Sequence, residues 1–207
     1  MSSPLPGSRR RDARVRIAIA LVLLAGVLWV LPGRRAGDHG GHHGDAAVVL
    51  DAFEKAGVVE FNEGQHGPGL RLRAFAGDGD LLLEDLAGKL VVLNFWATWC
   101  APCTAEMPTL EALWQRYRAR GLVVLGVSVD RGAPRAILAP YLERLGLTFP
   151  ILVDPDMTAA AAWRVTGLPA TFIIKPDGDV AGMAAGAREW DSAEMLALLE
   201  TLLPAAR

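Results

Sequence analysis

Apolar residues dominate two runs of this chain, LVVLNFWA (90–97) and LVVLGVSVD (122–130). Near-continuous apolar runs of this length predict strands buried on both faces of a central sheet. Between the runs the period changes. Met107, Leu110, Leu113, Trp114 and Tyr117 recur at threes and fours, which predicts a helix packed along one face. Pro108 falls inside that helix and predicts a kink. APRAILAPYLERLG (133–146) predicts a second helix, broken at Pro140 and stopped at Gly146. FPILVD (149–154) predicts a strand and MTAAAAWRV (157–165) a short helix. TFIIKPDGDVAGMAAG predicts two strands joined by a PDGD turn, adding antiparallel edge strands to the sheet. SAEMLALLETLL predicts a closing helix, with Ser192 as N-cap and Glu194 in its first turn.

Upstream, VVLDAFEKAG predicts a short helix ended by Gly57, and VVEF a short extended piece. LRLRAF (70–75) alternates apolar and polar residues, and LLL (81–83) can pair back on it as a hairpin across GDGD. Asp78 and Asp80 lack the remaining spacing of a calcium loop and are read as turn residues. NEGQHGPG is a loop, and its His66 is read as ordinary surface. Strands alternating with helices predict an α/β fold, a central mixed sheet flanked by helices.

The N-terminal pattern is different. Ile17 to Leu31 carries no charge, with Arg9, Arg10, Arg11, Arg14 and Arg16 before it and Arg34 and Arg35 after. Its 15 residues reach ~22 Å as helix, short of a ~30 Å hydrocarbon core. Val15 and Pro32 lengthen the run if Arg16 snorkels, and Trp29 suits the outer interface. No small-x-small cleavage site follows, and Val27 stands where a lipoprotein signal needs cysteine. The reading is a basic cytoplasmic N-terminus at 1–16 and a transmembrane signal anchor at 17–32. A flexible Gly/His-rich tether follows at 33–47 and a folded domain at 48–207. The arginine bias puts the N-terminus in the cytoplasm and the domain on the extracytoplasmic side of the membrane. The tether holds His39, His42 and His43, which could bind copper or zinc, though flexible glycines offer no preset geometry.

Apolar residues make up 52% of the 207, enough to exclude a disordered chain. A net charge of −2 argues against nucleic acid as a partner. The chain's 2 cysteines are Cys100 and Cys103, in TWCAPC. One CxxC supplies half of a four-ligand zinc site, and there is no second pair. A structural disulfide closing so short a loop would constrain little. Redox chemistry has positive support. Cys100 falls where a buried strand meets a helix, whose free N–H groups stabilise a thiolate. Cys103 lies one turn later and can resolve a mixed disulfide. Pro102 fits the first helical turn, where its missing N–H costs nothing.

FWATWCAPCTAEMPTL resembles the membrane-anchored TlpA/ResA-like thiol-disulfide oxidoreductases of the thioredoxin superfamily, which also includes AhpC/TSA-like redoxins. GKLVVLNFWA and GLPATF (167–172) resemble the same family's strand and cis-proline loop. The resemblance covers roughly residues 58–203. It implies a thioredoxin fold with an N-terminal hairpin at 70–83 and a central helix-strand insertion at 133–153. PGLRL (68–72) departs from the family by lacking an acid and an aromatic.

The resemblance also implies roles. Cys100 is the nucleophile and Cys103 the resolving thiol, their disulfide being the only redox group, with no other cofactor and no metal. Pro169 is the cis residue that keeps metal from the cysteines and presents backbone to an extended substrate. Trp99, Pro102 and Leu168 line the substrate groove. Glu106, three residues after Cys103, is the acid that takes the resolving thiol's proton. Plain thioredoxins carry an acid six residues before the first cysteine, where this chain has Asn94. The implied partners are a thiol or disulfide of an exported protein and a membrane thiol protein that donates electrons. The implied direction is reduction, of the cytochrome c maturation or copper-site assembly kind.

Two readings of other classes compete. One is a copper-binding or copper-delivery protein that uses the His tract and the CxxC. The other is a peroxiredoxin-type peroxidase, which needs a threonine three residues before its cysteine, where Ala97 stands.

Overall fold

A computed structural model describes residues 52–77, 79–132 and 134–204. The anchor, the tether histidines, the start of the first helix and Asp78 lie outside the described residues. Among those described, no helix is long and apolar enough to cross a membrane.

A helical turn at 52–55 ends before Gly57, whose φ of 65° is a left-handed helix stop. Then come β1 (Val59–Glu60), β2 (Arg71–Ala74), β3 (Asp80–Leu82), β4 (Leu90–Trp96) and α1 (Ala101–Tyr117). β5 (Leu122–Ser128), α2 (Pro134–Leu145), β6 (Ile151–Val153) and α3 (Thr158–Ala162) follow. β7 (Ala170–Ile174), β8 (Val180–Ala185) and α4 (Ala193–Leu202) complete the order. Ser192 caps α4, its hydroxyl accepting the N–H of Met195.

The strands form one mixed sheet in the order β1-β8-β7-β4-β5-β6-β2-β3. β4, β5 and β6 run parallel, and the other pairings are antiparallel. Every residue of β4 and β5 is buried, as their apolar runs predict. The expected hairpin forms, with Arg71 opposite Leu82, and docks on β6 at the far edge of the sheet. Asp80 serves this turn region by pairing with Arg71.

Two expectations need correction. The β7–β8 hairpin does not form an edge. β7 pairs along β4 inside the sheet, and the short β1 covers β8. Nor does Pro140 break α2, which continues to Leu145. An internal proline removes one ladder hydrogen bond. Here Leu138, Tyr141 and Leu142 bury around it and hold the helix. Pro108 is likewise carried inside α1.

Side chains alternate across β4. Asn94 and Trp96 face α1 and α2, where Trp96 stacks on Tyr141 with centroids 5.2 Å apart. Phe95 joins Trp163 and Phe172 in an aromatic cluster, at centroid distances of 6.4 and 6.1 Å. Gly67 lies against that cluster, so a Cβ there would overlap Cη2 of Trp163. Gly67→Ala is expected to cost about 1–3 kcal/mol by overpacking. Gly79→Ala meets open space and should be near neutral. Urea denaturation of the two variants checks the difference.

Candidate active site

The end of β4 and the start of α1 set the two cysteines. Cys100 is the N-cap of α1, with extended backbone at φ −88° and ψ 101°. Its Sγ accepts the N–H of Cys103 at 3.2 Å. This is the helix-end donor that a thiolate at Cys100 would use, aided by the helix dipole. Cys100 and Cys103 are joined in a disulfide, with Cα atoms 5.2 Å apart. Cys100 is 5% exposed and Cys103 0%, so an incoming sulfur reaches Cys100 first. Pro102 sits exposed in the first turn of α1. Trp99 stands out at 71% exposure directly before Cys100.

The second loop is brought to the same end of the sheet by register. Phe95 pairs with Ala170 and Asn94 with Thr171, so residues 168–169 lie beyond the last pair, level with the exit of β4. The Leu168–Pro169 bond is cis. The Pro169 carbonyl accepts the N–H of Gly186 at 2.9 Å and is thereby used within the protein. Leu168 is half-buried and packs against the core cluster.

Glu106 lies one turn after Cys103 on α1, the spacing at which helical side chains neighbour each other. It is buried, at 2% exposure. Asn94 Nδ2 donates to Glu106 Oε1 at 2.8 Å and also to Thr171 Oγ1 at 2.8 Å. The Arg188 backbone N–H and the Trp190 indole N–H donate to Glu106 Oε2, at 3.1 and 3.0 Å. Burial raises the Glu106 carboxyl above its ordinary value, and the donors from Trp190, Arg188 and Asn94 and the Arg188 charge offset only part of that. A carboxyl shifted in this direction keeps its proton to higher pH than a free side chain would.

The sequence patterns did not mark Thr171, Arg188 and Trp190 as members of this cluster. Their hydrogen bonds to Asn94 and Glu106 span 77, 82 and 84 residues of chain. A lone tryptophan in the polar stretch REWDS is the one local hint. A second missed group is Asp130, buried where β5 ends. Its carboxylate accepts from the Thr98 N–H at 3.0 Å, the Thr98 hydroxyl at 2.7 Å and the Ser128 hydroxyl at 2.8 Å. It thereby anchors the loop that carries Trp99 and Cys100. Thr104 meets Tyr141 at 2.8 Å, tying α2 to the first turns of α1. His66 is exposed and pairs with Asp179 at 3.0 Å, on the β8 side. Among the described residues, no cluster of three or more His, Cys, Asp or Glu side chains could hold a metal.

Comparison with known proteins places this geometry. The AhpC/TSA family pattern matches residues 64–183. Thiol-disulfide oxidoreductase ResA of Oceanobacillus iheyensis is 33% identical over 137 residues, covering 65% of this chain and 70% of that protein. ResA of Bacillus subtilis is 34% identical over 131 residues, covering 63% and 72%. Among solved structures, a Chlorobium tepidum protein assigned as a thiol:disulfide interchange protein DsbE superposes with a TM-score of 0.62 at 27% identity. That match covers 69% of this chain and 98% of the other. The mixed sheet with flanking helices is accordingly a thioredoxin fold, and the protein is a thiol-disulfide oxidoreductase. The chain belongs to the AhpC/TSA family, as a ResA-like thiol-disulfide oxidoreductase of the thioredoxin superfamily.

Proposed function

We propose that this oxidoreductase is an exported, membrane-tethered reductant of protein disulfides, of the cytochrome c maturation or copper-site assembly kind. The observation that carries the reading is the disposition of three groups on α1. Cys100 caps the helix, Cys103 is sealed behind it, and Glu106 is buried one turn further on.

In the reduced protein the Cys100 thiolate attacks one sulfur of a partner disulfide. A mixed disulfide forms and the first partner sulfur leaves as thiolate. Cys103 gives its proton to Glu106 and attacks Cys100 Sγ, and the second partner sulfur leaves. Two electrons have passed to the partner, and the Cys100–Cys103 disulfide remains. A thiol protein of the membrane restores the dithiol. Trp99, Pro102 and Leu168 form the rim against which the partner lies. The Pro169 carbonyl is occupied by Gly186, so a partner strand would use the backbone before the proline. The apolar run at 17–32 with its flanking arginines supports a single-pass anchor in the bacterial cytoplasmic membrane, the domain lying on the extracytoplasmic side.

Glu106→Gln tests the reading. A protonated Glu106 cannot accept a proton, so the wild-type resolving step quickens as pH rises through the raised Glu106 pKa. The variant should lose that limb and resolve about 10²-fold more slowly above it. Stopped-flow decay of a preformed mixed disulfide across pH reads both. An unchanged rate and profile would remove Glu106 from the mechanism.

A further inference from the structure

We infer that Asn94 is a hydrogen-bond switch: its side-chain amide turns over to accept the proton that Glu106 carries on Oε1. Glu106 Oε2 receives two N–H groups, from the Arg188 backbone and the Trp190 indole. Neither nitrogen can accept a hydrogen bond, so a proton on Oε2 would face two donors and no acceptor. The neutral acid must therefore hold its proton on Oε1.

Oε1 faces Asn94 Nδ2, which is also a donor. The arrangement as it stands suits only the carboxylate. Asn94 is fully buried, and its Oδ1 is a buried acceptor with no partner. An idle acceptor on the same amide as the donor that faces Glu106 is the unusual feature of this site, because buried polar atoms are ordinarily paired. Oxygen and nitrogen of an amide are nearly equal in size, so a half-turn about the side chain exchanges them without new volume. After the turn, Oδ1 accepts from the Glu106 O–H. Thr171, whose hydroxyl can donate as well as accept, reverses and donates to the same oxygen. Each protonation state keeps its bonds to Glu106 and Thr171, and each leaves one end of the amide idle.

The charged and titratable groups around Glu106 are few. The Arg188 charge acts on it, and Cys103 lies three residues earlier on α1. From β4 and β7 the facing side chains are Asn94 and Thr171, which do not titrate. Asn94 acts through Glu106 and is a positioning residue. Its consequence for turnover rests on the proposed role of Glu106. A proton leaving Cys103 Sγ settles on Oε1 and is held there by Asn94; no further reactant is needed.

The test uses the oxidised Glu106→Gln protein. With two N–H groups fixed opposite one side-chain position, the oxygen of the introduced amide must take the place of Oε2. Its NH2 then faces Asn94 as the O–H would. Neutron diffraction, which tells nitrogen from oxygen, should find Asn94 Oδ1 bonded to both the introduced NH2 group and Thr171 Oγ1. Asn94 Nδ2 still on Thr171 would overturn the switch. A second arm follows the Glu106 carboxyl by ¹³C NMR in Asn94→Leu. If Asn94 were only a fixed donor to the carboxylate, its loss would raise the titration by about one unit, a tenfold shift. A switch loses a partner in both states, and the shift should stay below about half a unit. A turned amide in Glu106→Gln together with an undiminished resolving rate would leave the switch standing and end the catalytic reading of Glu106.

Discussion

Cys103→Ser turns the protein from a catalyst into a trap. Cys100 keeps its helix-cap position and the backbone N–H of position 103 that points at its sulfur. The first exchange with a partner disulfide should therefore proceed. The second cannot, because serine has no sulfur to attack Cys100 Sγ. Steady-state disulfide reduction should fall by on the order of 10³-fold or more, as when other covalent catalysts lose a reacting group. A mixed disulfide with the partner should accumulate at one equivalent, visible on non-reducing gels and by intact mass. Cys100→Ser should lose the same activity and accumulate no such adduct, since Cys103 is 0% exposed. Equal trapping by both variants would contradict the assignment of Cys100 as the attacking sulfur.

The second large effect falls on stability. Trp190 is fully buried, and its indole N–H is bonded to Glu106 Oε2 at 3.0 Å. Its backbone N–H is held by Thr109 Oγ1 at 3.1 Å, so the residue is fixed at both ends against α1. Trp190→Ala removes a large core side chain and should cost about 3–5 kcal/mol in urea unfolding. Trp190→Phe fills most of the space but leaves a buried carboxyl short of a donor. It should cost about 1–3 kcal/mol. The sign of its pH dependence follows from the same loss. With one donor fewer, the Glu106 pKa rises further above its ordinary value. A raised folded-state pKa contributes stability that is present at low pH and lost as pH rises through it. The Trp190→Phe penalty should therefore shrink below the ordinary Glu value and grow above the raised one. A penalty that is flat with pH would mean that the indole N–H contributes nothing to the carboxylate.

The parts legible in the sequence were those set by local period and spacing. β4 and β5 announce themselves as unbroken apolar runs because both faces are covered. The cysteine pair and its place at a helix start follow from the strand that precedes it. Strand order is not a local property. That β7 would pair with β4 inside the sheet, rather than extend its edge, depends on residues far apart in the chain, such as Asn94 and Thr171. Pro140 shows a local rule losing to packing around Leu138, Tyr141 and Leu142. Glu106 could be singled out by its spacing from Cys103, but its burial could not. Asn94 was visible as a departure from the thioredoxin pattern. That it touches Glu106 directly appears only when β4 is packed under α1.

The most direct test of the account is a redox titration of the protein against dithiothreitol buffers, read by tryptophan fluorescence, with Trp99 beside the disulfide as reporter. The account predicts one reversible two-electron transition near the thioredoxin range, about −270 mV, absent from Cys100→Ser. A transition near about −120 mV would reverse the proposed direction of electron flow and make the protein an oxidant. No reversible transition at all, or one that survives the loss of Cys100, would contradict thiol-disulfide exchange at this site.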